Sequence, residues 1–199
     1  MPANPDYNRL REVYSYQQYR ASMLGKSEAE MYRYVTTTQE RDRMPDYVTK
    51  SAEAGTSLHR LVQAQQFAAG NIESAEGLVY DPRYNITGHI DAISKSYGIG
   101  DIKTVSQKKF SKLSRHGPDP AHISQVNFYL KQSNADEGYI QYILREDPTK
   151  QRVFHLKYNP ELYKSDMSKL GRVRARIEAE LASGSLKKED QECLHILSL

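Results

Sequence analysis

Residues 85–104 read NITGHIDAISKSYGIGDIKT, and the fold turns on how this stretch is taken. Ile86, Ile90, Ile93 and Ile99 lie among turn formers, Asp81-Pro82 before them and Ser94 to Gly98 within, which predicts two short strands joined as a hairpin. Such a hairpin sets Asp91 and Asp101 side by side. Side chains alternate along a strand, so Asp101 and Lys103 project to one face and Ile102 to the other. Two carboxylates and an ammonium then share one patch. Asp-x-Lys on a strand is also a common structural ion pair, but the patch suits a hard divalent cation, which takes one or two carboxylates and keeps positions open for phosphate oxygens.

Outward from this stretch, residues 50–69 predict a helix with Leu58, Leu61, Val62 and Phe67 on its buried side and His59 next to that stripe. Residues 73–80 (ESAEGLVY) predict a strand entering the turn DPRYN. Downstream, Asp119-Pro120 opens a helix with an N-cap and a proline at its first position. Ile123, Val126 and Leu130 form its stripe, and Gln125 and Tyr129, four apart, share an adjoining face. Tyr139 to Arg145 and Arg152 to Tyr158 predict a second hairpin across Asp147-Pro148. A long helix follows, capped by Asn159, started by Pro160 and ended by Ser183-Gly184, with Leu162, Met167, Leu170, Val173, Ile177 and Leu181 as its apolar stripe.

Residues 7–34 predict one or two helices broken near Gly25, with Tyr16, Tyr19 and Met23 at helical spacing and Ser27 with Glu30 as a capping box. Met44-Pro45-Asp46 predicts a break, and the tail KKEDQECLHILSL turns apolar at its end, suited to docking on the body or on a partner. Seven tyrosines precede residue 48; such density serves packing or stacks on unpaired bases.

The 199 residues fit a single domain, 1–199, with a helical part to residue 70, a core over 71–158 and a C-terminal helix and tail from 159. Charged residues are 27% and hydrophobic ones 38%, a balance that excludes a disordered chain. No apolar run reaches the roughly 20 residues of a membrane span, and MPANPDYNRL lacks the features of a signal peptide, so the expectation is a cytoplasmic protein with no membrane partner. Cys193 is the single cysteine, which excludes an internal disulfide and a Cys-rich zinc or iron–sulfur site within the chain. The net charge of +3 says little about partners. Local charge says more: between Asp101 and His116, Lys103, Lys108, Lys109, Lys112 and Arg115 stand against Asp101 alone. This run reads either as a solvated face or as a phosphate-contacting one. Gly98-x-Gly100 leads into a strand rather than a helix, so no phosphate-cradling loop is encoded.

Gly55-x-x-x-His59, Gly88-x-x-Asp91, Asp101-Ile-Lys103 and Gln125-x-x-x-Tyr129, in that order, resemble the motifs of the RecB-like branch of the PD-(D/E)XK nuclease superfamily, relatives of lambda exonuclease. Ile90 stands where the superfamily name has proline, and the four-cysteine iron–sulfur cluster of several members is absent. The resemblance implies an α/β, restriction-endonuclease-like fold, with a central mixed sheet of about five strands flanked by helices. It implies a Mg²⁺- or Mn²⁺-dependent deoxyribonuclease, exonuclease ahead of structure-specific endonuclease, acting on single-stranded or duplex DNA ends in recombination, repair or phage DNA processing in a bacterial, archaeal or phage-infected cell. His59, Asp91, Asp101 and the Ile102 carbonyl are then the metal ligands, with His89 as second choice. Lys103 is the catalytic lysine, Gln125 and Tyr129 hold the site and nucleic acid, and Lys108, Lys109, Lys112 and Arg115 meet DNA. A recombination or replication protein is an expected partner, and oligomeric state stays open. The alternative is a non-catalytic DNA-binding module that keeps the nuclease fold.

Overall fold

A computed structural model describes residues 19–36, 46–74, 77–183 and 185. In chain order the elements are β1 (Tyr19–Arg20), a 3-10 turn (Ala21–Met23), α1 (Glu28–Thr36), α2 (Asp46–Ala68), β2 (Gly77–Asp81), β3 (Ile86–Ile90), β4 (Ala92–Ser94), β5 (Gly98–Val105), α3 (Gln107–His116), α4 (Pro120–Ser133), β6 (Glu137–Leu144), β7 (Gln151–Lys157) and α5 (Pro160–Ala182).

The class is α/β with helices flanking mixed sheets, as expected, but the strands divide differently. They form two sheets, β1-β3-β2 and β4-β5-β6-β7, in place of one sheet of about five strands. The division falls at Asp91. β3 pairs with β1 and β2, whereas β4, one residue later, turns back on β5. The hairpin is therefore β4–β5, with Ala92 opposite Gly100 and a three-residue loop closed by Gly98 at φ 72°, the left-handed conformation such loops need. Asp91 precedes the Ala92–Gly100 pair and so still stands level with Asp101. The β2–β3 turn is fixed by the Asp81 carboxylate, which accepts the Arg83 N–H at 2.9 Å, and by Asn85 at φ 53°.

β5 and β6 run parallel in the middle of the larger sheet, and nearly all of β6 is buried. Parallel strands covered on both faces read as continuous apolar runs, and YIQYIL fits that description. One face packs Ile102, Tyr139 and Ile143 against Val62 and Leu58 of α2. The other packs Ile140, Tyr142 and Leu144 in the main core with Val126, Phe128, Tyr129 and Leu130 of α4 and Met167, Leu170, Val173 and Ile177 of α5.

The local signals at helix ends hold. Asp119 caps α4 by accepting the Ala121 N–H at 2.9 Å, Asn159 accepts the Leu162 N–H at 3.0 Å, and Ser27 and Glu30 form the reciprocal capping box. Two expectations fail. Tyr19 lies in a strand parallel to β3, not on a helix stripe, because pairing with Ile86 buries its ring beside that strand. On α2, Val62 is buried but Leu61 is 54% and Phe67 59% exposed. At about 100° per residue, those two lie outside the arc of Leu58, Val62 and Gln66 that meets the sheet. Tyr16, Met44-Pro45, Gly184 and the tail with Cys193 lie outside the described residues.

Candidate active site

β5 brings its acidic and basic residues to one face, as alternation requires: Lys103 Nζ donates to Asp101 Oδ1 at 2.9 Å. The Asp101 side chain is fully buried, and Lys103 is 24% exposed. Asp101 Oδ2 is buried with no hydrogen-bond partner. Burial is the largest influence on this carboxyl, and with the nearby Asp91 charge it outweighs Lys103, holding the group well above the usual carboxylate range. Two carboxylates close together with one oxygen unsatisfied leave negative charge that a cation would relieve.

Asp91 reaches the same place from the crossover between the sheets. Its Oδ2 accepts the Ile102 N–H at 2.7 Å, and His59 Nε2 of α2 lies 3.5 Å from its Oδ1. His59 and Asp91 are only partly exposed, at 23% and 17%. His59, Asp91, Asp101, Ile102 and Lys103 thus come together from a helix, a crossover and a strand. His89 is exposed on β3.

Gln125 and Tyr129 sit on α4 above this cluster. The Gln125 amide donates to the Tyr129 hydroxyl at 2.7 Å, and both residues are buried, so what the structure shows them doing is packing. Burial first, and then the nearby Asp101 charge, push the Tyr129 hydroxyl far above its ordinary range. Its ring also explains Gly88. A Cβ at Gly88 would stand 2.4 Å from Tyr129 Cε1 and 3.0 Å from the Ala21 Cβ, so the ring lies where a side chain would be. The two patterns Gly-x-x-Asp and Gln-x-x-x-Tyr meet in one contact.

Three residues of the site are not singled out by the sequence. Gln63 donates to the Asp91 backbone carbonyl at 2.7 Å. Tyr142, opposite Lys103 on β6, has its hydroxyl 2.7 Å from His122 Nδ1 and accepts the Asp119 N–H at 3.1 Å. Since that hydroxyl accepts from Asp119, it is available to donate to His122, which suits a neutral ring. Burial, reinforced by the Lys103 charge, lowers the His122 pKa to about 4. The signal available was position: Gln63 follows His59 by one helical turn, and His122 precedes Gln125 by three residues. The lysines of the basic run, Lys108, Lys109 and Lys112, are exposed with Arg115 on α3, whose Phe110 and Leu113 face inward.

Among the described residues no group of three or more His, Cys, Asp or Glu side chains is placed to hold a metal ion. The donor chemistry nevertheless fits a divalent cation, because Asp101 Oδ2 is an orphaned buried oxygen beside a second carboxylate. Among the described residues, too, no helix is long and apolar enough to cross a membrane.

This arrangement belongs to a fold seen in solved exonucleases. An alkaline exonuclease from Laribacter hongkongensis, LHK-Exo, is similar over 88% of this chain and 96% of its own, with TM-score 0.65 and 16% identity. The same enzyme in complex with dAMP matches over 83% of this chain and 90% of its own, with TM-score 0.63 and 16% identity. A phage-related exonuclease from Haemophilus somnus 129PT matches over 83% of this chain and 97% of its own, with TM-score 0.53 and 14% identity. At these identities the likeness is one of fold. No family model matches the chain, and no curated protein matches it by sequence.

Proposed function

We propose that the chain is a divalent-metal-dependent deoxyribonuclease of the RecB-like, lambda-exonuclease-like branch of the PD-(D/E)XK superfamily, working as an exonuclease on DNA ends. The observation that carries this reading is the cluster itself: Asp101 with one orphaned oxygen, bonded to Lys103 and beside Asp91, in a fold shared with alkaline and phage-related exonucleases. His59, Asp91, Asp101 and the Ile102 carbonyl would hold Mg²⁺ or Mn²⁺, which when bound supplies Lewis-acid polarisation of the scissile phosphate. Lys103 orients the attacking water and offsets negative charge that develops on the phosphate. Asp101 keeps that ammonium in place through its 2.9 Å contact. Gln125 and Tyr129 brace β3 and the Asp91 crossover from above, and the exposed lysines of α3 meet the DNA backbone. The setting this activity fits is recombination, repair or phage DNA processing.

The test is cleavage by the purified protein of linear DNA and of covalently closed circles, with Mg²⁺, Mn²⁺, Ca²⁺ or EDTA. The expected result is loss of linear DNA with Mg²⁺ or Mn²⁺, survival of closed duplex circles, and no cutting in EDTA or Ca²⁺. Efficient cutting of closed circles would replace the exonuclease reading with an endonuclease. DNA binding with no cutting under any metal would point to the non-catalytic module.

A further inference from the structure

Asp91 is the single residue between β3 and β4, strands of different sheets, so no one ladder runs through it. The ladders fix its neighbours, Ile90 against Gly77 and Ala92 against Gly100, and side chains orient Asp91 itself. α2 supplies two of them, one turn apart and therefore on one helix face: His59 at the carboxylate and Gln63 at the backbone carbonyl. Gln63 is 6% exposed, and its amide donates to the Asp91 carbonyl at 2.7 Å. Gln66, further along the helix, donates to Gln141 of β6 at 2.7 Å.

We infer that Gln63 is the positioning residue of the site: it anchors the Asp91 peptide from α2 and thereby holds the Asp91 carboxylate against the Ile102 amide. The role rests on the functional reading above only for its consequence in catalysis. The anchoring itself is a property of the protein alone. Donation to the carbonyl adds to the Ala92–Gly100 pairing in fixing the peptide after Asp91. Without it that carbonyl loses its Gln63 donor, and the carboxylate that meets the Ile102 amide and His59 is less firmly oriented. Gln63 bonds the Asp91 backbone carbonyl rather than the carboxylate, so it acts through Asp91.

Gln63→Met keeps the length of the side chain and removes the donor. Gln63→Glu keeps its shape and sets an acceptor against an acceptor. Gln66→Met, on the same helix, is the control. Amide hydrogen exchange followed by NMR in metal-free protein reads the anchoring, and loss of the free-ion EPR signal reads Mn²⁺ binding. In Gln63→Met and Gln63→Glu the Ile102 amide is expected to exchange at least about tenfold faster, with the remaining amides of β5 and β6 unchanged, and Mn²⁺ to bind about tenfold more weakly. Gln66→Met should leave Ile102 as in the wild type. Unchanged Ile102 protection in both Gln63 variants overturns the inference, and so does faster exchange spread evenly over β5 and β6, the sign of lost packing alone. If the wild-type protein binds no Mn²⁺ and cuts no DNA, the proposed function fails while the exchange experiment still decides the role of Gln63.

Discussion

Gly88→Ala tests the contact that joins the two halves of the site. The added Cβ would lie 2.4 Å from Tyr129 Cε1, 3.1 Å from its Cζ and 3.0 Å from the Ala21 Cβ. None of these neighbours can yield cheaply. Tyr129 and Ala21 are each 1% exposed, and the Tyr129 hydroxyl is tied to Gln125. Overpacking of this kind costs about 1–3 kcal/mol, and a displaced ring that gives up its hydrogen bond adds about 1 kcal/mol, so a loss of about 2–4 kcal/mol is expected. Gly77→Ala on the neighbouring strand is the matched control. Its Cβ would meet the Ile90 Cβ at 3.7 Å, an ordinary contact, so stability should hold or rise by up to about 1 kcal/mol.

Urea denaturation followed by circular dichroism gives both numbers. For a chain of this size the Gly88→Ala melting temperature should fall by roughly 5–15 °C. A double-mutant cycle with Tyr129→Leu isolates the contact, because removing the ring should recover about 1 kcal/mol or more of the Gly88→Ala loss. A Gly88→Ala loss below about 0.5 kcal/mol, or a cycle with no coupling, would refute the packing given for Gly88.

Asp101→Asn, in EDTA at pH 7.5, should be as stable as the wild type or more so by about 1–3 kcal/mol, since it removes a buried charge, while DNA cleavage falls at least about a hundredfold. The folded-state pKa of this carboxyl is raised, so the wild type recovers stability as pH falls through that pKa and the variant's advantage should shrink; a variant less stable at pH 7.5 would mean that stranding Lys103 costs more than the buried charge. His122 has the opposite sign: its pKa is lowered, so its contribution is complete above about pH 6.5 and lost as pH falls towards about 4. Lys103, Lys109, Lys26 and Asp119 are the charges facing it, and allowing for partial exposure the loss is about 2 kcal/mol, which urea curves of His122→Gln should lack. Replacing Lys108, Lys109 and Lys112 together by Ala should flatten the salt dependence of DNA binding by about 0.7–0.9 log units per lost phosphate contact, and an unchanged slope in fluorescence anisotropy would return α3 to a solvated face.

Strand alternation was enough to join Asp101 to Lys103 and turn Ile102 away, because the period of two leaves no other choice. It carries no measure of depth. Nothing in DIKT distinguishes a surface ion pair from an aspartate under a helix, since burial of β5 is set by α2 and α4, which lie some tens of residues away in sequence. The capping signals at Ser27, Asp119 and Asn159 were legible for the converse reason: each is a contact within one helical turn. Tyr19 misled because helical spacing over so short a run cannot be told from a strand that pairs with a distant partner, here Ile86. The hairpin across Ser94 to Gly98 forms as β4–β5, but the break at Asp91 is hidden for a similar reason. Isoleucines at 86, 90, 93 and 99 mark extended chain, but only the partners β1 and β2 show that the first two belong to another sheet.

That division gives the site its character. Had β3 and β4 been one strand, Asp91 would be held by a ladder and α2 would only cover it. Because the sheets part at Asp91, its carbonyl is taken by Gln63 and its carboxylate lies between His59 and the Ile102 amide, while Tyr129 sits against Gly88 three residues earlier. The Ala92–Gly100 pair is what sets Asp91 level with Asp101. The side chains of α2 and α4 are what must then restrain it. Loss of the Gln63 donor on α2 or of the Tyr129 ring on α4, with β5 intact, should therefore move Asp91 while the Asp101–Lys103 pair stays where the strand puts it.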